Sequence, residues 1–481
     1  MSSHKRVVVA VAMFAVAQLI LVISGLADNA ICDDAFYYFQ ISKHAAGGSG
    51  FTFDGLHATN GFHPLLGWLG VPVFAVFHSP WGPIRVILCM LGLATAATGY
   101  VLYRIGRAIG DDRAGELMAM LFMLSPFSWI IPLAGCEGAL AVLCIALAIW
   151  QAARMREVDA RSAFILGALV GLAGLARTDN VFLAIGMFGW LLTRTRRPRV
   201  IAAFVVAAAV VVSPWVIWNL TQFGTIMQVS GAAKLAFRLH HPLPSGLSHV
   251  FPNLYEVAAF PTQFMVGELM LPRHWTALFV TANTLIFVAA VTANVRRRLH
   301  SALVPLGVVA AFHIVYYVFV QRSYFHWYVM PLVLGAAVLQ GERLAGASRL
   351  RVGGVLVASA LMCVLTLGLF FQRYPREVHA PETALGYVLT EIDQLPPNAH
   401  AGLWNAGAVG YFGTIHRPDV SIVNLDCLVN NDLFAAYKRG EYTAWVVENV
   451  QWLVARPARP LDPSVVVPVR GVLSRIVAAP W

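Results

Sequence analysis

The chain has 481 residues, of which 58% are hydrophobic and only 12% charged, with a mean hydropathy of +0.68. Soluble domains average about 45–50% apolar and about 25% charged residues, so this composition excludes disorder, a collagen-like fibre, a nuclear protein and a disulfide-stapled secreted module. The net charge of +10 does not point to nucleic acid, because the basic residues stand in short clusters between apolar blocks. A polytopic membrane protein is expected.

A membrane span needs roughly 20 apolar residues. Candidates in chain order are 7–27, 82–106, 114–132, 136–154, 161–176, 180–194, 199–219, 274–294, 301–320, 326–343 and 353–372. The first follows Lys5-Arg6, has no small-residue cleavage site and runs into Asp28-Asn29, which reads as an uncleaved anchor. With the N-terminus inside, the clusters Arg104/Arg107/Arg113, Arg154/Arg156/Arg161, Arg194/Arg196/Arg197/Arg199, Arg296–Arg298 and Arg343/Arg349/Arg351 all fall on the cytoplasmic side, as retention of Lys and Arg requires. About eleven spans then leave the chain ending outside. Segment 64–78 is also apolar, but a span there would invert every later loop. Pro64, Trp68 and Pro72 suit a helix lying on the outer membrane surface instead.

Three regions are predicted outside: 28–81, 220–273 and 373–481. The last carries Pro375, Pro381 and Pro396-Pro397, β-like runs at 399–404 and 420–425, and a helix-like stretch at 430–439, the pattern of a small α/β domain. The cysteines Cys32, Cys89, Cys136, Cys144, Cys363 and Cys427 show no CxxC spacing, so neither a zinc nor a redox centre is expected. No internal repeat is visible, which counts against the common transporter plans.

Candidate chemistry gathers at the outer face. Asp33 and Asp34 follow the first span and open an amphipathic helix through Phe36, Tyr37, Phe39, Gln40 and Lys43. Carboxylates there are favoured by the helix dipole and free backbone N–H groups, so they read either as an N-terminal cap or as catalytic acids. Glu137, between the third and fourth spans, is either a first-turn acid or functional, since a carboxylate beside a span is expensive. Arg177-Thr178-Asp179 closes the turn between the fifth and sixth spans, as an ion pair or as a substrate contact. Lys234, Arg238, Arg273 and Arg322 are outer cations that fit a lipid phosphate or snorkel to the headgroups. His326-Trp327-Tyr328 is an aromatic belt or a substrate contact. His313 reads as a core histidine, and His57, His63, His240, His241 and His274 lack HExxH spacing.

These motifs are similar to those of the GT-C class of integral membrane glycosyltransferases. Asp33-Asp34-Ala-Phe-Tyr-Tyr, with Gly50-Phe-Thr-Phe-Asp-Gly55 and Thr59-Asn60-Gly-Phe-His63-Pro-Leu65, resembles the class's first-loop signature. Gly135-Cys-Glu137-Gly resembles a Gly-Met-Glu-Thr-type motif of bacterial members, departing at Cys136. Ser230-Gly-Ala-Ala-Lys234, His326-Trp-Tyr328 and Trp404-Asn-Ala-Gly407…Gly410-Tyr-Phe412…Asn424-Leu-Asp-Cys427 resemble further motifs of that group.

The resemblance implies a multispan helical fold with its site at the outer membrane face, which agrees with the all-α polytopic reading above of about eleven transmembrane helices, N-in and C-out, with a small outer α/β domain. It implies a polyprenyl-phosphate-sugar donor, an acceptor hydroxyl on a glycan, glycolipid or protein of the cell envelope, and inversion at the anomeric carbon. The class's catalytic acid maps to Asp33, with Asp34 adjacent. Glu137 would hold the acceptor or, with Asp33 and Asp34, a divalent cation such as Mg or Mn. Lys234, Arg238, Arg273 and Arg322 would face the donor phosphate; Tyr37, Asn60, His63, Arg177, Asp179, His326 and Tyr328 would contact substrate. The competing expectation is a multispan transporter or lipid flippase, which would place ionisable groups near midspan. A non-catalytic assembly protein is the third.

Overall fold

The computed structural model describes residues 2–240, 300–321, 328–373, 389, 392–455 and 465–468. Through these residues the helices run α1 (Ser3–Ile23), α2 (Asp33–Ala46), α3 (Pro64–Val76), α4 (Gly82–Ala108), α5 (Asp112–Met123) and α6 (Pro126–Leu133). They continue as α7 (Gly138–Arg154), α8 (Ala160–Ala176), α9 (Val181–Arg194), α10 (Pro198–Phe223), α11 (Val229–His240) and α12 (Val304–Val315). Then come α13 (Met330–Ala345) and α14 (Arg349–Arg373), followed by β1 (His400–Leu403), α15 (Gly407–His416), β2 (Ser421–Asn424), α16 (Asn431–Lys438), α17 (Tyr442–Asn449), β3 (Trp452–Ala455) and β4 (Val465–Pro468).

Among the described residues, α1, α4, α10 and the Arg349–Gly368 part of α14 are long and apolar enough to cross a bilayer. The run 114–132, which the sequence suggests as one span, is broken: α5 and α6 meet at 53°. Pro126 opens α6 and cannot donate a backbone hydrogen bond to continue α5. The Trp129 indole donates to the Met123 carbonyl at 2.8 Å, satisfying an acceptor freed by that break. Helices α3, α7, α8 and the stretch Ser301–Val315 are apolar but shorter; α7 and α8 have 17 residues each, about 25 Å of rise. The expected span 274–294 lies outside the described residues, as does the start of 326–343.

The chain forms two compact units. The first comprises Met1–Ser24, Leu88–Trp215 and Leu243–Tyr374. Its helices pack α5 against α13, α7 against α8, α9 against α12 and α1 against α5. In a bilayer, close helix approach depends on small residues. Gly167 of α8 is such a point, since a Cβ there would stand 2.1 Å from the Phe204 carbonyl oxygen of α10. Ionic contacts also join helices, as where Arg6 of α1 meets Glu116 of α5 at 2.5 Å.

The second unit comprises Gly25–Ile87, Val216–Pro242 and Pro375–Trp481. Its sheet has the order β2-β1-β3-β4, with β1 parallel to both β2 and β3 and β4 antiparallel to β3. Strands β1 and β2, in register from His400↔Ser421 to Leu403↔Asn424, lie within the two runs whose sequence reads as β-like. Helix α2 packs against α3 and α15, so the acidic first-loop helix rests beside the sheet. All six cysteines are free thiols.

Candidate active site

Helix α2 begins directly after Cys32, and its first two residues are the acidic pair. Adjacent residues on a helix point about 100° apart, and the two carboxylates meet different surroundings. Asp33 turns toward the first turn of α15, where Oδ2 accepts from the Gly407 N–H at 3.1 Å and Oδ1 from the Ala408 N–H at 2.9 Å. It therefore answers two of the N–H groups that a helix start leaves without an internal partner. Asp34 turns instead toward α11, with Oδ2 3.9 Å from the Lys234 ammonium; their side chains are 32% and 19% exposed. This acid and this cation are part-open to solvent.

The carboxyl edge of the sheet lies behind α2. Asn405 after β1 and Cys427 after β2 both adopt left-handed backbone, with φ of 50° and 60°, conformations usually costly for residues other than glycine. Between them Asp426 is buried; it accepts the Asn405 and Leu428 N–H groups at 3.2 and 3.0 Å and the Tyr37 hydroxyl at 2.9 Å. Burial pushes the Asp426 carboxyl above the usual range against those hydrogen bonds. Burial, reinforced by the charges of Asp426, Asp33 and Asp34, holds the Tyr37 phenol well above its ordinary value. Tyr37 is thus a buried donor joining α2 to the sheet.

A separate charged cluster lies within the first unit. Arg177 is 3% exposed and grips Asp179 with two parallel bonds, Nε to Oδ1 and Nη2 to Oδ2, both 3.0 Å. Its Nη1 donates to Glu137, and Nη2 donates to the Tyr317 hydroxyl at 3.1 Å. That hydroxyl donates in turn to Asp179 Oδ2 at 2.8 Å. Tyr328 lies under the guanidinium, 4.8 Å from ring centroid to Cζ, and His313 Nδ1 is 3.8 Å from Asp179. Such forked and stacked contacts are the geometry that Arg, unlike Lys, provides.

A family model for dolichyl-phosphate-mannose-protein mannosyltransferases matches residues 61–218. The structure superimposes on ArnT from Cupriavidus metallidurans, crystallised with undecaprenyl phosphate, with a TM-score of 0.60 at 14% identity, covering 98% of this chain and 99% of that one. The fold is that of the GT-C class of membrane glycosyltransferases. The Archaeoglobus fulgidus oligosaccharyltransferase shares it. Its apo form gives a TM-score of 0.51 at 13% identity over 93% of this chain and 69% of that one. Its complex with Zn and sulfate gives 0.53 at 14% identity, over 92% and 67%. At these identities the likeness is one of fold. No curated protein matches the sequence.

Within this GT-C fold, the structure brings Asp33, Asp34, Tyr37 and Lys234 together in one unit, and Glu137, Arg177, Asp179 and Tyr328 together in the other. His63 stands at the start of α3, its N–H donating to the Tyr38 hydroxyl at 3.4 Å. Asn60 is fully buried. Arg273, Arg322 and His326 lie outside the described residues, as does the side chain of Arg238, whose backbone continues α11. Among the described residues, no group of three or more His, Cys, Asp or Glu side chains is placed to hold a metal ion.

The sequence reading singled out neither Lys43 nor Asn431, both of which help build this unit. Lys43 gives no signal beyond its place on an amphipathic helix, because its partner Thr414 is 371 positions away in the chain. Asn424 and Asp426 did carry a signal, in the motif near the C-terminus. Only the fold reveals that the motif grips Tyr37.

Proposed function

We propose that the chain is a glycosyltransferase moving a hexose or pentose from a polyprenyl-phosphate donor to an acceptor hydroxyl at the outer face of the cytoplasmic membrane. The acceptor is a glycan, glycolipid or protein of the cell envelope, and the anomeric centre inverts. What carries this reading is the juxtaposition of Asp34 and Lys234 at 3.9 Å, both part-open. A displacement at an anomeric carbon needs a base for the incoming hydroxyl and a cation for the leaving phosphate. Inversion sets the incoming hydroxyl and the leaving phosphate on opposite faces of the sugar, so in this reading the bound donor parts Asp34 from Lys234, on a fold whose relative ArnT binds undecaprenyl phosphate.

In the proposed step the acceptor oxygen attacks the anomeric carbon and forms the new glycosidic bond. The carbon–oxygen bond to the phosphate breaks, and its electron pair leaves with the polyprenyl phosphate. Asp34 takes the hydroxyl proton, while Lys234 balances the charge growing on the phosphate. Asp33, held by the start of α15, fixes the helix from which Asp34 projects. Arg238, Arg273 and Arg322 are further candidates for the phosphate, and His63 and His326 for the sugar or acceptor. Glu137, Arg177, Asp179 and Tyr328 satisfy one another and in this reading stabilise the helix bundle.

A divalent ion suits this donor set poorly. Both Asp33 oxygens already accept backbone N–H groups, and an ammonium stands 3.9 Å from Asp34.

Removing a positioned general base costs about 10²–10⁴ in rate. Asp34→Asn, purified and reconstituted in vesicles with a polyprenyl-phosphate-sugar donor, is expected to lose kcat by that factor with donor KM little changed. Wild-type turnover by a folded Asp34→Asn protein overturns the assignment.

A further inference from the structure

We infer that Asn60 is a positioning residue for Lys234: a buried carboxamide that fixes the start of α11, and through it the place of the ammonium. The inference rests on the reading of Lys234 as a phosphate ligand, and it changes the expectation that Asn60 touches substrate.

A carboxamide can donate two hydrogen bonds and accept two. Asn60 is 0% exposed and uses all four. Its Nδ2 donates to Asn219 Oδ1 at 2.5 Å and to the Met227 carbonyl at 3.2 Å. Its Oδ1 accepts from the Val229 N–H at 2.9 Å and from Asn431 Nδ2 at 3.0 Å. Nothing is left with which to hold a sugar or an acceptor.

The four partners come from three elements: the last turn of α10, the entry into α11, and the first residue of α16. Val229 is the first residue of α11, so its N–H is one of those that a helix cannot satisfy internally. Asn60 supplies the missing acceptor from outside the helix. The clamp is doubled on either side. Asn431 Oδ1 accepts from the Thr59 hydroxyl at 3.1 Å and the Asn60 N–H at 3.2 Å, and the buried Gln228 amide donates to the Phe62 carbonyl at 2.7 Å.

Lys234 lies five residues beyond Val229, about 7.5 Å along the helix axis. A helix transmits a displacement at its first turn along its length, so the clamp at 59–62 sets where the Lys234 stem emerges opposite Asp34. Misplacing a reacting group by about 1 Å can cost about 10²-fold. Freeing the start of α11 is therefore expected to be felt at the ammonium.

The test uses the full chain in lipid nanodiscs with undecaprenyl phosphate as the probe. The chain has four lysines, Lys5, Lys43, Lys234 and Lys438, so ¹³C-dimethyl labelling gives a spectrum in which Lys234 is assigned by its loss in Lys234→Arg. Asn60→Ala is expected to move the Lys234 resonance and to weaken undecaprenyl phosphate binding about tenfold or more. In a Lys234→Ala background the same change is expected to weaken binding no further, because the two act through one contact. Should Asn60→Ala fail to fold, Asn219→Ala removes a single bond of the four and is expected to act in the same direction, about two- to fivefold. An unmoved Lys234 resonance, or losses that simply add in the double variant, overturns the inference. If the resonance moves while neither Asn60→Ala nor Lys234→Ala alters binding, the positioning stands and the phosphate reading fails.

Discussion

Asp33 and Asp34 are chemically identical neighbours whose carboxylates meet different surroundings. Asp33 meets the N-terminus of α15, whereas Asp34 faces the Lys234 ammonium. Local sequence cannot make this distinction, because the N–H groups that engage Asp33 come from residues 374 and 375 positions away. Lys43 shows the same dependence on distant contacts. Its Nζ donates to the Thr414 hydroxyl at 3.0 Å and lies 5.4 Å from the Tyr411 ring centroid. Burial lowers its pKa from 10.5 to about 8. Between about 8 and 10.5 the unfolded chain carries this proton and the folded chain does not, so the group makes stability rise with pH across that window. The slope is at most about 1.4 kcal/mol per pH unit. In Lys43→Met this contribution is absent. The stability of the variant relative to the parent is therefore expected to be highest below about pH 8 and to fall as the pH approaches 10.5, measured by denaturation of the detergent-purified proteins. A difference that stays flat across the window contradicts the assignment.

Helices and strands were legible where their periodicity is local. The helix beginning at the acidic pair, the apolar helix from Pro64, the two short strands of the 399–425 region and the helix after Asn430 all read directly from patterning and turn residues. The break between α5 and α6 did not, because an apolar run from 114 to 132 satisfies a span by hydropathy while Pro126 interrupts its backbone bonding. Close contacts between elements were equally hidden, since glycine carries no mark of what approaches it. At Gly407, the first residue of α15, a Cβ would stand 2.1 Å from the Asp33 carbonyl oxygen. Gly231 in α11 is different: a Cβ there would meet only the Met227 Cε at 3.6 Å. Gly407→Ala is thus expected to destabilise by about 1–3 kcal/mol as α15 is pushed from α2. Gly231→Ala is expected to stabilise by about 0.5–1 kcal/mol through helix propensity. Thermal unfolding of both variants checks the pair, and a Gly407→Ala protein as stable as Gly231→Ala contradicts the packing described for α2.

For the whole molecule, composition and the placement of arginines indicated a multispan membrane protein, and the fold agrees with that class. Sequence reading assembled one outer site from acids on early loops and bases on later ones. The structure groups these residues by unit: Asp33, Asp34 and Lys234 in one, Glu137, Arg177 and Asp179 in the other. The reason is physical. A buried guanidinium needs carboxylate partners, and Arg177 finds both of its own within its helix bundle. The acidic pair is instead met by the first turn of α15 and by a lysine far along the chain. In the proposed mechanism Lys234 receives the phosphate of a polyprenyl donor beside Asp34. The most direct measurement is a density map of the full chain in nanodiscs with undecaprenyl phosphate bound. The phosphate is expected within about 4 Å of the Lys234 ammonium, the reach of an ion pair, with Asp34 bordering the same space. A phosphate bound away from Lys234 contradicts it.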